Sequence, residues 1–166
     1  MTILGEQHGV GAEPARPDAA PSGRVRVLPA EEPAAATGGA WHPDRGAGDR
    51  RFAQLGPLAL ESGAVLEDVT MAYESWGRLD ADAGNAVLVL HALTGDSHVC
   101  GPAGPSHPSP GWWEEMVGPG RPIDTNRFHV IAPNVLGGCQ GTTGPSSPAA
   151  GGGAYRSRFP ALPPPA

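Results

Sequence analysis

Three histidines and a thiol, His91, His98, Cys100 and His107, crowd one stretch of the chain and are its most reactive collection of side-chain types. Their spacings match no standard zinc pattern and the stretch between them is rich in proline, so they read as polar loop residues and no metal is expected. Serine nucleophiles of acyl-transfer enzymes sit on a G-x-S-x-G elbow between a strand and a helix. No such elbow occurs here. The nearest string, Gly95-Asp96-Ser97-His98-Val99, lacks the second glycine, and Ser106 in GPSHP and Ser146 in GPSSP fail in the same way. Cys139, next to Gly137 and Gly138, has no neighbour that would strongly lower its pKa, so it reads as a small buried residue. Its surroundings, LGGCQGTTGPSS from Leu136 to Ser147, suggest a phosphate loop, but a Walker motif needs a lysine and the chain has none.

The elements that would carry these residues are strands. PLALESG and AVLEDVTMAYESWG alternate apolar and polar residues, with Val65, Val69, Met71 and Tyr73 at mostly even spacing, and Ser62-Gly63 between them predicts a turn and an antiparallel hairpin. AVLVLHAL is continuously apolar, the pattern of a strand buried on both faces, and is expected to be a central parallel strand. A Gly/Pro-rich loop leads to WWEEMVG, a short helix candidate, and IDTNRF turns the chain into a second buried strand, FHVIAPNVL. Hairpin, central strand, helix-bearing connection and buried strand form the opening half of a mixed α/β sheet. Ligands of such sheets bind at the carboxyl ends of the parallel strands. Two loops fall there: HALTGDSH, from His91 to His98, and LGGCQGTTGPSS. In an α/β-hydrolase the loop in this place supplies a main-chain amide to the oxyanion hole, and Thr94-Gly95 can make the tight bend this needs; an ordinary strand-exit loop is the equal alternative on these residues alone.

Composition narrows the classes. The chain has 166 residues, of which 25 are glycine and 20 proline. Ala, Gly and Pro fill nearly half of the first fifty positions, too few large apolar residues remain to offset ordering entropy, and residues 1–50 are expected to be a disordered extension. The net charge is −6 and every basic residue is a scattered arginine, which leaves no footprint for nucleic acid or an anionic membrane surface. There is no basic n-region or long apolar run, so neither a secretory signal nor a membrane span is expected. Two cysteines without CxxC spacing suit a reducing cytoplasm.

The blocks NAVLVLHALTGDSHVCGP, PGWWEEMVGPGRPIDTNRFHVIAPNVLGGCQGTTGPSSP and YRSRFPAL, preceded by ESGAVLEDVTMAYESWGRLDADAGN, resemble the homoserine O-acetyltransferases over roughly the last two-thirds of the chain. The resemblance implies an α/β-hydrolase fold and transfer of acetyl from acetyl-CoA, a substrate and not a resident cofactor, to the hydroxyl of L-homoserine in methionine biosynthesis. It implies that Ala92, Thr94, Gly137 and Gly138 line the substrate pocket beside the Leu93 oxyanion donor. The family's nucleophile, Asp and His lie beyond its SRFPAL block, where this chain has PPPA; triple proline forbids the helix expected there. Residues 51–166 therefore read as a truncated α/β-hydrolase domain, inactive alone, with exposed apolar strand edges. A family-like homodimer is implied for the full-length enzyme only. The alternatives are an O-succinyltransferase of the same fold acting on homoserine or serine, and a non-catalytic remnant.

Overall fold

The computed structural model describes residues 26–27, 47–104 and 106–162. The described residues include the strands β1 (Arg26–Val27), β2 (Arg51–Ala59), β3 (Val65–Trp76), β4 (Ala86–Leu88), β5 (Val117–Gly118), β6 (Ile123–Asp124) and β7 (His129–Pro133), followed by a 3₁₀ turn at Arg156–Arg158. Five strands form one sheet in the order β1-β2-β3-β7-β4, and β5 and β6 pair separately. All neighbours in the main sheet are antiparallel except β4 and β7, which run parallel.

The β2–β3 hairpin forms where the alternation predicts it. Its turn is closed by Leu60 N–H to Ala64 O (2.8 Å) and Gly63 N–H to Leu60 O (2.9 Å). Gly63 has φ of 81°, a left-handed conformation that costs glycine little. The pairing register shifts on both sides of Gly56, so each strand carries one extra residue in turn. These bulges change which residues of β3 face inward. Leu66, Val69, Ala72 and Glu74 are buried, while Val65 is exposed and Met71 and Tyr73 are only half-buried, so of the evenly spaced set read from the sequence only Val69 lies in the core. A glutamate thereby comes to lie on the buried side of β3.

The two parallel strands take different places from those expected. His129–Pro133 is the strand with partners on both sides, and Ala86–Leu88 lies at the edge of the described sheet. Val89 still donates its N–H to Ile131 O (2.9 Å) and is buried, but Leu88 and Leu90 are 63 % and 68 % exposed. Exposed apolar side chains at this edge agree with the sequence expectation. WWEEMVG forms turns leading into β5, and no α-helix occurs among the described residues. Pairing with β6 overrides the weak helix propensity of so short a run.

Val89, Val99, Cys100, Val117, Val130 and Ala132 make the main core, with Trp76, Val87, Met116, Ile123 and Phe128 packed around it. A smaller cluster joins Phe52 and Ala72 to Ala47. Most of the extension expected over 1–50 lies outside the described residues; of its described parts, Arg26–Val27 pairs with β2 and Arg50 is buried.

Candidate functional site

The turn after β4 begins with His91. Its ring Nδ1 lies 2.7 Å from Ala92 O, and its Nε2 accepts the Val135 N–H at 3.2 Å. One neutral tautomer satisfies both contacts, with the proton on Nδ1, and it ties the loop after β4 to the loop after β7. Gly95 N–H donates to Ala92 O (2.8 Å) and closes a tight bend over residues 92–95. Leu93 at its apex is 97 % exposed, Ala92 and Thr94 are exposed, and no hydrogen bond among the described residues engages the Leu93 N–H.

The loop after β7 holds its shape through threonines. Thr142 Oγ1 accepts the Ala72 N–H (3.0 Å) and donates to Asn134 O (2.9 Å), while Thr143 Oγ1 accepts the Thr70 N–H (2.9 Å) and Thr143 N–H donates to Thr70 O (2.9 Å). Both threonines are buried against β3, so this part of the run is structural. Gly144 is required by backbone contact: a Cβ there would lie 2.4 Å from Gly138 O. Gly137 and Gly138 are half-buried, and the nearest neighbours of a Cβ on each would be Leu162 and the Val135 carbonyl. Cys139 is exposed, contrary to the small buried residue expected, because the loop turns its back on the sheet between Gly138 and Gln140.

Beneath the two loops lies a buried polar cluster. Ser97 and Asn134 bond reciprocally, Ser97 N–H to Asn134 Oδ1 (2.8 Å) and Asn134 Nδ2–H to Ser97 Oγ (3.1 Å), and Asn134 Nδ2 also donates to Gln140 O (2.9 Å). Ser97 Oγ–H donates to Glu74 Oε1 (2.7 Å), and His98 Nδ1–H donates to Glu74 Oε2 (3.0 Å). His107 Nε2 sits 3.3 Å from Glu74 Oε1, with its ring stacked on that of His98 at 3.7 Å between centroids and 9° between planes. Arg50 donates to Gln140 Oε1 (2.9 Å) and to Ser106 O (3.0 Å). Burial lowers the Arg50 pKa from its ordinary value, against the attraction of Glu74 and Asp96, and desolvation likewise lowers that of His107.

Of the residues singled out in the sequence, the structure brings His98 and His107 together, with Glu74, and keeps His91 and Cys100 apart from them. The three carry donor atoms within 4.8 Å of one another. Two stacked, nearly parallel imidazoles do not suit one metal, since an ion about 2 Å from both nitrogens would lie far out of both ring planes. Ser97 is wholly buried with its hydroxyl committed to Glu74, so it is not placed as a nucleophile. Burial, Glu114 and Glu74 push the Cys100 thiol up to about 11, which makes it inert. Trp112 and Trp113 stack at 5.5 Å and remain partly exposed, and Trp112 Nε1–H caps Asp96 O at 2.9 Å. Glu74 was missed because the bulges hide its inward phase; its only signal is its position two residues from both Ala72 and Trp76.

A hairpin leading into a parallel pair, with a free amide on the bend after the edge strand, defines part of an α/β-hydrolase fold. Among solved structures, esterase E22 matches with a TM-score of 0.61 at 30 % identity, covering 68 % of this chain and 33 % of its own. The homoserine O-acetyltransferase of Bacillus anthracis matches with a TM-score of 0.60 at 31 % identity, covering 68 % and 32 %. No family model matches the chain. In sequence, the homoserine O-acetyltransferase of Thermobifida fusca (strain YX) is 62 % identical over 125 residues, which is 75 % of this chain and 33 % of that protein. The chain is thus related to the homoserine O-acetyltransferases and spans about a third of the length of the curated relatives it matches. No helix among the described residues is long and apolar enough to cross a membrane.

Proposed function

We propose that this chain forms part of a cytoplasmic acyltransferase that moves acetyl from acetyl-CoA to the hydroxyl of L-homoserine, yielding O-acetyl-L-homoserine for methionine biosynthesis. Both would be transient small-molecule substrates, and no resident cofactor is invoked. The observation that carries the reading is the exposed Ala92–Gly95 bend with its unengaged Leu93 N–H, in a segment of high similarity to enzymes named for this reaction. Attack on a thioester builds negative charge on the carbonyl oxygen, and a fixed amide aimed at that oxygen stabilises the tetrahedral intermediate without reorganisation. Ala92, Thr94, Gly137 and Gly138 would border the acyl pocket between the two loops. The nucleophile and its base would come from sequence outside these 166 residues, which hold no G-x-S-x-G elbow.

The test supplies the missing part. The chain is co-expressed with the remaining two-thirds of the Thermobifida fusca enzyme, and CoA release from acetyl-CoA is followed with homoserine. We expect release from the pair and none above background from either part alone. Release with succinyl-CoA in preference would move the donor assignment to succinyl. A soluble, associated pair with no turnover on either donor would instead mark the chain as non-catalytic.

A further inference from the structure

Glu74, His98 and His107 are all buried, they come from β3 and from the stretch between β4 and β5, and their polar atoms are not all matched. Glu74 Oε1 and Oε2 accept from Ser97 and His98, but His98 Nε2 and both ring nitrogens of His107 have no hydrogen-bond partner. Unpartnered buried nitrogens are uncommon and call for a reason. We propose that the stacked His98–His107 pair on Glu74 is an acid-operated latch, closed while neutral, whose protonation releases the segment from Ser97 to His107 from β3. This stands on the cluster alone and holds whether or not the chain takes part in acyl transfer.

The charges around the pair make proton uptake costly. Glu74 faces it from β3, Asp96 and His98 from the loop after β4, and Arg50 from the residues before β2. Arg50 shares the attraction of Glu74, so a proton on His107 is only partly compensated by Glu74 and Asp96 in a site shielded from water. It would also sit 3.7 Å from the His98 ring, whose own Nδ1–H is committed to Glu74. Desolvation is the leading cause that holds the His107 pKa below its ordinary value; Glu74 and, less, Asp96 oppose it, while Arg50 and His98 act with it, and the balance remains a lowering. The open form, hydrated and with ordinary histidine behaviour, therefore binds the proton first. Opening becomes more favourable as pH falls through about 6.5, the ordinary histidine value, and continues to do so until the depressed value of the closed form is reached.

The release has a structural path. His107 N–H and O pair with Gly104 O and N–H (3.1 and 2.7 Å), and Gly48 is packed so closely on Ser106 that a Cβ there would lie 2.7 Å from the Ser106 Cβ. Moving His107 therefore breaks its backbone pairing with Gly104 and shifts the Arg50 contact to Ser106 O. On the other side, His98 is followed by Val99 and Cys100 of the main core and preceded by the Ala92–Gly95 bend.

Hydrogen exchange of the full chain, corrected for intrinsic rates, tests this at pH 7.5 and 5.5. For one histidine with an ordinary value of about 6.5, opening of residues 97–107 should rise about tenfold across that interval, while β2 and β3 around Phe52 and Ala72 change less. His107→Phe keeps a flat ring on His98 and cannot take the proton, so the rise should vanish. Because that variant can fail to fold, the wild-type imidazole Cε1–H resonances are titrated as well. A midpoint below the ordinary value for one of the pair is expected. Midpoints for both at or above about 6.5, exchange in 97–107 that is independent of pH, or a chain with no protection there at pH 7.5 would each overturn the latch.

Discussion

Glu74→Gln changes no volume worth noting yet removes the charge on which the buried cluster is built. The carboxylate is 1 % exposed and accepts from two donors, the Ser97 hydroxyl at 2.7 Å and His98 Nδ1–H at 3.0 Å. A carboxamide offers one acceptor, so one of the two donors must face an N–H. If the amide oxygen keeps His98, the Ser97 hydroxyl already receives the Asn134 Nδ2–H and must find a new acceptor in a dry site. If it keeps Ser97, His98 must move its proton to Nε2, which is buried and has no partner. Either way one hydrogen bond to a charged group is lost, about 1.5–3 kcal/mol, and Arg50 loses one of the charges that attract it. The expected loss is about 3 kcal/mol, a large share of the stability of a small domain. Urea titration of the full chain at pH 7.5, followed by tryptophan fluorescence, reads it as a lower midpoint at unchanged slope. A loss below about 0.5 kcal/mol would refute the view that Glu74 organises Ser97 and His98.

Thr142→Val removes a hydroxyl that accepts the buried Ala72 N–H, and we expect a cost of about 1–3 kcal/mol in the same titration, because that amide is left unmatched. Gly144→Ala should cost about 1–3 kcal/mol through the clash with Gly138 O, whereas Gly151→Ala, with nothing within 4 Å of its Cβ, should stay within about 0.5 kcal/mol; equal effects at the two positions would contradict the described loop. Iodoacetamide at pH 8, with peptide mass spectrometry, should label exposed Cys139 long before Cys100, whose thiol is buried and pushed up to about 11; comparable rates would show that the 97–107 segment is open.

Patterns of neighbouring residues announced a good part of this molecule. Alternation and Ser62-Gly63 are enough for the β2–β3 hairpin, since both the period of two and the left-handed turn are local properties. Runs of apolar, β-branched residues announce β4 and β7, and the Gly95 bend announces the loop whose amide is offered as the oxyanion donor. Helix at WWEEMVG was misjudged because a seven-residue run decides little until a partner strand competes for its backbone.

Other features depend on residues far apart in the chain. Which face of β3 is buried follows from register shifts opposite Gly56, and no period within β3 reveals them. The order β3-β7-β4 comes from β7 filling the place between two strands that precede it in the chain, so the later apolar run is the one paired on both sides. LGGCQGTTGPSS reads alone as a flexible loop; it is Thr142 and Thr143 meeting the Ala72 and Thr70 amides that make half of it a structural strap and leave Cys139 outside. Glu74, Ser97, His98, His107 and Asn134 carry no common motif, because a buried charge is stabilised by whatever donors the fold brings within hydrogen-bond reach, and that distance exists only once β3, β7 and the loops between them have packed.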